Sequence, residues 1–539
     1  MPKIVFQKNI LQQEIGLPPY LVEFLEDLDP PVEMTPNWLR QVGYDVLRAK
    51  QSDVEMTNAA AEPRLRKRVP ETLNFDEISI VLAYIMPWRS IEMATGVTLL
   101  GMYEYSGDRA GLYTVNPKVQ QRVVDYIART YRTKQIQDVL EKIERLVPDV
   151  KQTADPNRTI VNNGIYNRKT KTLEPFDPKY VYIAKIATNY VHDAQPQIIK
   201  SPDGYVWDVD SWIKELALDD DTNTLLWQVI SDFVQSGRTR NKSIWFYSQR
   251  GNNGKGTFGQ LLKTLVGELN YASLSVEQFN HEFYKSKLIG VVGVIGDENN
   301  ADKYIDAVPD FKAAVSGDDV MINRKYAEPI NYQFKGTIIQ MINGLPRTKD
   351  KTDSFYRRII LVPFLKSFTN NGERPYIKND YIKRPEVLEY ILYKALNMDD
   401  FAEFIIPAKS SEALEDYKEI NNPVIQFWNE ISYQFKWDLL PTQFLYDLFA
   451  AWYKRNNPNG KIMNKRSFID GLALHLESDP KWAPSFKSVQ KSNNKMNDDE
   501  PLITEYRLTS WMNPNVFSNN QTKIRDFQRA SGYRGVVRR

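Results

Sequence analysis

The stretch SIWFYSQRGNNGKGTFGQLLKTLVGEL, residues 243–269, decides how this chain is read. It opens on a short apolar-aromatic run, 243–247, of the kind a buried strand takes. It closes on Phe258, Leu261, Leu262, Leu265 and Val266 at helical spacing. Between the two, Gly251 and Gly254 permit backbone turns that aim N–H groups at phosphate oxygens. Lys255 is set to reach the β- and γ-phosphates, and the first turn of the helix adds its positive dipole end. The loop departs from G-x-x-x-x-G-K-[ST] at both ends. Gln249 stands where the first glycine belongs, and Gly256 where a magnesium-binding hydroxyl belongs, with Thr257 one place further on.

Three later segments belong with this loop. KLIGVVGVIGDENN, 287–300, reads as a buried strand, Leu288 to Ile295, ending in Asp297 and Glu298. Carboxylates at the C-terminal end of such a strand lie where α/β sheets bind ligands. Asp297 can hold Mg²⁺ directly or through water, and Glu298 can polarise an attacking water. GTIIQMINGLP, 336–346, is a third strand whose tip carries Asn343, an amide able to bond both that water and a γ-phosphate. DKTDSFYRRIILVPF, 350–364, places Arg357 and Arg358 just before another apolar strand, where an arginine facing a neighbouring subunit's phosphate would stabilise transition-state charge.

Composition bounds the rest. A chain of 539 residues is too long for one core, and 42% hydrophobic with 12% aromatic residues is ample for globular packing. The formal charge of +2 means that nucleic-acid binding must rest on local basic patches. Cysteine is absent, which removes disulfides, thiolate metal sites and cysteine nucleophiles. His192, His281 and His475 lie far apart, so no paired-histidine metal centre is expected. No leader-like or bilayer-spanning apolar run occurs, and the chain reads as a cytoplasmic protein of a bacterial host cell, with no membrane partner.

The chain divides into six segments: a helical N-terminal segment and linker (1–71), an α+β domain for oligomerisation or partner docking (72–154), three segments that the resemblance described below implies to be a pre-ATPase segment with a helical collar (155–240), an ATPase domain (241–405) and a winged-helix-like domain (406–510), and a basic tail (511–539). Residues 51–74 read as a polar linker whose Arg64, Arg66, Lys67 and Arg68 are either solvated or in contact with DNA or RNA. Residues 116–147 read as one long helix. Residues 208–237 read as two helices, the first capped by Asp210 or Ser211. Asp208 and Asp210 are the one carboxylate pair suited to two-metal nucleotidyl transfer, but no histidine or second acidic motif accompanies them, so no polymerising primase domain is expected. The tail, KIRDFQRASGYRGVVRR, reads as a flexible arm for DNA or as a wing strand with basic flanks.

These residues resemble the superfamily 3 helicases, ring-forming AAA+-type ATPases of small viruses, phages and plasmids. Within them the chain is similar to the phage/plasmid primase–helicase family that includes the poxvirus primase–helicase. The resemblance covers about residues 155–500 and is most specific in NGLPRTKDKTDSFYRRIILVPF. It implies an α/β multidomain fold: an AAA+-type P-loop core with a helical collar, a divergent N-terminal domain and a C-terminal winged-helix-like domain. It implies ATP with Mg²⁺ as cofactors, held by Gly251, Asn252, Asn253, Gly254, Lys255, Gly256 and Thr257. Asp297 and Glu298 match the family's acidic pair, Asn343 its sensor, and Arg358 its arginine finger, with Arg357 as the fallback. Either Thr257 ligates Mg²⁺ beside Asp297, or water takes that place.

A hairpin projecting into the ring channel is implied over 313–336, with Arg324, Lys325 and Tyr326 at its tip for single-stranded DNA. Lys465 and Arg466, at the start of a helix in the winged-helix-like domain, would contact phosphates. The implied function is an ATP-dependent DNA helicase replicating a phage, plasmid or mobile element. Its partners would be single-stranded and forked DNA, copies of itself in a homohexameric ring, and a replication loader or primase. The alternatives are an origin-binding initiator or loader that melts DNA, and a bifunctional primase–helicase.

Overall fold

A computed structural model describes residues 16–29, 31, 34–94, 97–235, 237–248, 251–299, 304–305, 308–324, 327–348, 352–368, 373–458, 460–477, 479–512 and 530–539. The chain forms two compact units, 1–413 and 414–539. Among the described residues, no helix is long and apolar enough to cross a membrane.

The first unit opens with helices Pro19–Asp27, Pro36–Ala60 and Phe75–Ile85. The second of these runs on through 51–60, the first part of the stretch read as a linker. QSDVEMTNAAA holds no Gly or Pro, so the helix continues until Pro63 follows it. Phe75–Ile85 is buried along most of its length and starts with a capping box between Asn74 and Glu77. Glu77 also ties the three helices together: Tyr20 Oη donates to its Oε1 at 2.6 Å and Lys50 Nζ to its Oε2 at 2.9 Å.

A four-stranded sheet follows, in the order Tyr113–Thr114, Val97–Tyr103, Trp88–Ala94, Asp149–Lys151. It is joined by two helices, Pro117–Ile127 and Thr133–Leu146, where one long helix was expected. The break falls at RTYRT, rich in poor helix formers, and Tyr131 Oη is drawn away to the Leu73 carbonyl at 2.9 Å.

Three short antiparallel strands, Arg158–Val161, Gly164–Asn167 and Thr172–Glu174, lead into helices Val209–Leu216 and Asp220–Phe233. The cap of the first is Asp208, whose Oδ1 accepts from Ser211 N at 2.8 Å. The helix thus begins two residues earlier than a cap at Asp210 would set it. Asp210 lies inside it, receiving Tyr390 Oη at 2.5 Å and the Lys394 ammonium.

The centre of this unit is a five-stranded parallel sheet in the order Tyr271–Ala272, Gly293–Asn299, Thr337–Ile342, Ser243–Tyr247, Ile359–Pro363. Every residue of Thr337–Ile342 and Ile359–Pro363 is buried, as strands covered on both faces are, including Gln340, whose amide donates to the Leu274 carbonyl at 3.0 Å. The acidic strand starts at Gly293 and not at Leu288. Gly290, at φ 76°, turns the chain, and Tyr284–Leu288 form a 3₁₀ turn before it. Between the acidic strand and Thr337–Ile342 rises an antiparallel hairpin, Asp319–Arg324 with Ala327–Gln333, in register Ile322 to Ile330.

The second unit packs helices Pro423–Ile431, Thr442–Asn456 and Lys465–Leu476 with a three-stranded antiparallel sheet. Its order is Leu439–Pro441, Gly532–Arg538, Trp482–Lys491. Phe444, Leu445, Leu448 and Trp452 enter an aromatic core in which Phe449 and Phe468 stack at 4.6 Å. The end of the basic tail is the middle strand of this sheet.

Glu77→Ala should cost about 3–5 kcal/mol, because it strands the half-buried Lys50 ammonium. The loss is expected as faster amide hydrogen exchange across Phe75–Ile85, with protection in the second unit unchanged.

Candidate functional site

The phosphate-type loop leaves the C-terminal end of strand Ser243–Tyr247 and enters helix Lys255–Val266. Its turn rests on two left-handed residues, Asn252 at φ 55° and Gly254 at φ 81°. A Cβ at Gly254 would stand 2.3 Å from Leu216 Cδ2, so only glycine fits both the angle and the space. Side chains pin the loop from outside: Asn253 Nδ2 donates to Ser248 Oγ, Asn252 Nδ2 to Glu373, and Phe368 N to the Asn252 carbonyl at 2.7 Å. Gly251 and Gly256 face open space, with no atom within 4 Å of an added Cβ. Gln249 lies outside the described residues.

Lys255 is buried, and its Nζ donates to the Ile342 carbonyl at 2.5 Å and to Asn343 Oδ1 at 2.6 Å. Burial pulls its pKa down to about 8, opposed by the negative charge of Asp297. The lysine thus spans from the loop strand to the tip of the neighbouring strand. Asp297 accepts from Lys263, a second lysine on the same helix. The register between the acidic strand and Thr337–Ile342 slips between Gly296 and Asn299, a bulge that falls on Asp297 and Glu298. Bulges of this kind re-aim side chains. The side chain of Glu298 lies outside the described residues. Lys255, Asn343 and Asp297 are therefore brought to one edge of the sheet, and Thr257 lies half-buried in the first turn of the helix beneath it.

Arg357 and Arg358 stand at the other edge. The strand they precede is in register with the loop strand, Ser243 beside Ile359 and Tyr247 beside Pro363. Five residues of strand, about 16 Å, therefore separate the arginines from the loop of the same chain. Arg358 is aimed by Ser316 Oγ at 3.0 Å and the Ser354 carbonyl at 2.5 Å, while Arg357 is exposed. Both border a cleft of about 460 Å³ that Arg240 and Lys242 also line. Arg240 is committed to Asp232 at 2.8 Å and lies over the Phe401 ring at 3.8 Å. Lys242 donates to the Arg357 carbonyl, and burial lowers its pKa.

Of the residues expected to meet DNA, Arg324 ends the first hairpin strand, opposite Ala327. Its side chain, with Lys325 and Tyr326, lies outside the described residues. Lys465 Nζ donates to Gln443 Oε1 at 2.6 Å, and Arg466 is 93% exposed beside Asp470 at 3.9 Å. Asp208 and Asp210 are both occupied by a helix start and by Tyr390 and Lys394. Lys263 was not expected from the sequence. Its partner is 34 residues away and nothing in the local pattern marks the pair.

Among the described residues, no group of three or more His, Cys, Asp or Glu could hold a metal ion. One carboxylate, Asp297, with a hydroxyl at Thr257 and open space at Gly256 is nevertheless a donor set that fits Mg²⁺. That ion keeps several waters and takes its remaining ligands from one or two carboxylates and substrate phosphates.

Three family models match successive segments: one described as D5 N terminal like over residues 85–235, a family of unknown function (DUF5906) over 246–358, and one described as Poxvirus D5 protein-like over 419–510. The first match begins well ahead of the resemblance seen from residue 155 and takes in most of the segment placed at 72–154. The "Putative helicase L207/L206" of Acanthamoeba polyphaga mimivirus is 22% identical over 239 residues, 42% of this chain. The chain spans 24% of the length of that curated relative. Among solved structures, the A form apo structure of the NrS-1 C terminal region aligns with 84% of this chain and 88% of that chain, at 13% identity and TM-score 0.38. A further apo structure of the same region covers 70% and 92%, at 14% identity and TM-score 0.40. The D5-type matches stand on both sides of the phosphate loop and its companion strands, and over those segments the chain is similar to the D5-like primase–helicase family.

Proposed function

We propose that this chain is an ATP-dependent DNA helicase for replication of a phage, plasmid or mobile element, working as a ring with ATP held between neighbouring subunits. The observation that carries the reading is the division of the site between two edges of one sheet. Lys255, Asn343 and Asp297 gather at the C-terminal edge, and Arg357 and Arg358 stand about 16 Å away at the other. Residues so divided can act on one phosphate only when two chains meet, the loop of one facing the arginines of the next. The strand order, the helix pair Val209–Leu216 and Asp220–Phe233 before the loop, and the helix-and-sheet second unit support an AAA+-type core with a collar and a winged-helix-like end.

In this reading the backbone N–H groups of 251–257 and the Lys255 ammonium bind the phosphates. Asp297, with Thr257 or a water, would hold Mg²⁺, which would supply positive charge against the phosphates. Glu298 orients and polarises the attacking water, and Arg358 of the next subunit meets the charge that develops.

Two contacts must change as nucleotide enters. Lys255 leaves Ile342 and Asn343 for phosphate, and Asp297 leaves Lys263. Asn343 is thereby released whenever phosphate takes the lysine, and it ends a strand that begins only three residues after the hairpin. A shift at the nucleotide is passed along six rigid residues to the hairpin, whose Arg324, Lys325 and Tyr326 grip one DNA strand.

Lys255→Ala and Glu298→Gln should each abolish ATP-dependent unwinding of forked DNA while circular dichroism stays that of the parent; normal unwinding by either removes the assignment. Arg358→Ala should lower ATP hydrolysis by about 10³-fold or more. Mixing it with Lys255→Ala should restore part of the rate, because some interfaces then join an intact loop to an intact arginine. A mixture as inactive as its components would place both residues in the same half-site.

Lys255 sets the pH dependence. Its pKa in the free protein is about 8 and rises when phosphate charge arrives, so below 8 the ammonium is already present and above 8 binding must take up a proton. ATP affinity, measured by calorimetry, should fall by up to about tenfold per pH unit above 8. The binding enthalpy at pH 8.5 should vary with the ionisation enthalpy of the buffer.

A further inference from the structure

Three arginines from separate parts of the first unit converge on one carboxylate. Arg168 follows strand Gly164–Asn167, Arg238 and Arg240 lie in the connection that precedes Ser243, and Asp400 follows helix Pro385–Asn397. Arg238 Nη1 donates to Asp400 Oδ1 at 3.2 Å, and Arg240 Nη2 stands 3.5 Å from the same oxygen. Arg168 Nη2 reaches the Met398 carbonyl at 3.5 Å. Burial, and after it the charge of Arg238, lowers the pKa of Arg168, as befits a cation short of counter-charge.

The cluster is under-filled. Arg168 Nη1, Arg238 Nε and Arg240 Nη2 are all buried and, among the described residues, have no hydrogen-bond acceptor. The Arg240 side chain is only 7% exposed. The other donors are satisfied: Arg238 Nη2 by Gln235, Arg240 Nε by Asp232 at 2.8 Å, and Arg240 Nη1 by the Phe401 and Ala402 carbonyls. Asp232 is spent, because its second oxygen receives Thr337 Oγ1 at 2.6 Å. Asp400 remains, and its side chain is 70% exposed. Buried N–H groups without acceptors are rare, and three in one place call for an occupant. A carboxylate has only two oxygens to offer them. A phosphate group presents three or more strong acceptors, and guanidinium forks match it in shape as well as in charge.

We propose that Arg168, Arg238 and Arg240 form a binding site for a phosphate dianion, which displaces the Asp400 carboxylate into water. The phosphate is either the free inorganic ion or the phosphate end of a nucleoside monophosphate. The site goes beyond the proposed function and uses none of the residues assigned there to ATP. It lies where strand Ser243–Tyr247 begins, whereas the phosphate loop follows the end of that strand.

Lys255 is itself assigned to phosphate, so the test is made in the full chain carrying Lys255→Ala, without nucleotide. Inorganic phosphate is titrated in by calorimetry, with chloride holding the ionic strength constant. Adding Arg168→Gln and Arg238→Gln should weaken phosphate binding at least about tenfold. Adding Asp400→Asn alone should have the opposite effect and strengthen it about fivefold, because the competing charge is gone. Melting temperatures should follow the same order, with phosphate raising that of the Asp400→Asn protein most. The Asp400→Asn arm stands even where the glutamines disturb folding. Equal phosphate affinity with and without the glutamines overturns the proposal, and so does unchanged or weaker binding in Asp400→Asn. Loss of binding to a single-stranded oligonucleotide, with phosphate binding unchanged, overturns it too. AMP titrated in parallel separates the two sources. Binding at least as tight as that of phosphate assigns the site to a nucleotide-borne group, and much weaker binding assigns it to the free ion. Unwinding by Lys255→Ala would remove the helicase reading and leave these comparisons, made within one background, intact.

Discussion

The buried ammonium of Lys255 joins the parts on which the first unit depends. A charge taken out of water needs partners, and here they come from the tip of the adjacent strand: the Ile342 carbonyl and the Asn343 amide. That pair of bonds closes the loop over the sheet and ties the loop to the end of strand Thr337–Ile342. It also leaves the lysine with a depressed pKa, so the folded loop holds its cation at a cost that an anion relieves. The glycine at 254, wedged against Leu216, sets the angle from which the lysine enters.

The site was legible where its signals are local. The loop, its strand and its helix lie within 27 consecutive residues, and the structure sets that strand at Ser243–Tyr247 and the helix at Lys255–Val266. The placing of Asn343 and the arginines at strand ends was legible because each abuts a largely apolar run that reads as a buried strand. What stayed hidden depends on separations or on single turns of backbone. The Lys263–Asp297 pair joins two elements with no shared pattern. The acidic strand starts late because one glycine, Gly290, adopts a positive φ inside an apolar run that reads as continuous. Asp208 in place of Asp210 as helix cap is a shift of two residues, and it turns a candidate metal pair into one cap and one half-buried partner of Tyr390.

The ends of the chain were less legible for a different reason. Amphipathic patterning there marks helices but not where they stop: Pro36–Ala60 persists through a polar stretch that lacks a breaker, and 117–146 breaks at residues that are merely poor helix formers. The tail could be read as an arm or as a strand because charge does not choose between them. The structure pairs it on both sides, with Leu439–Pro441 and with Trp482–Lys491, and the apolar Val536 at its middle is buried.

The placement of lysine and arginines on opposite edges of one sheet has a consequence for assembly. A contact that joins one edge of a subunit to the other edge of the next is heterologous, head to tail, and has no built-in stopping point. Whether such a chain of subunits shuts into a circle or climbs as an open spiral depends on the rotation and rise per contact, and a few degrees separate the two. For this protein, catalytic output and closure would then be properties of the joint between chains. Dilution would silence the molecule without unfolding any part of it.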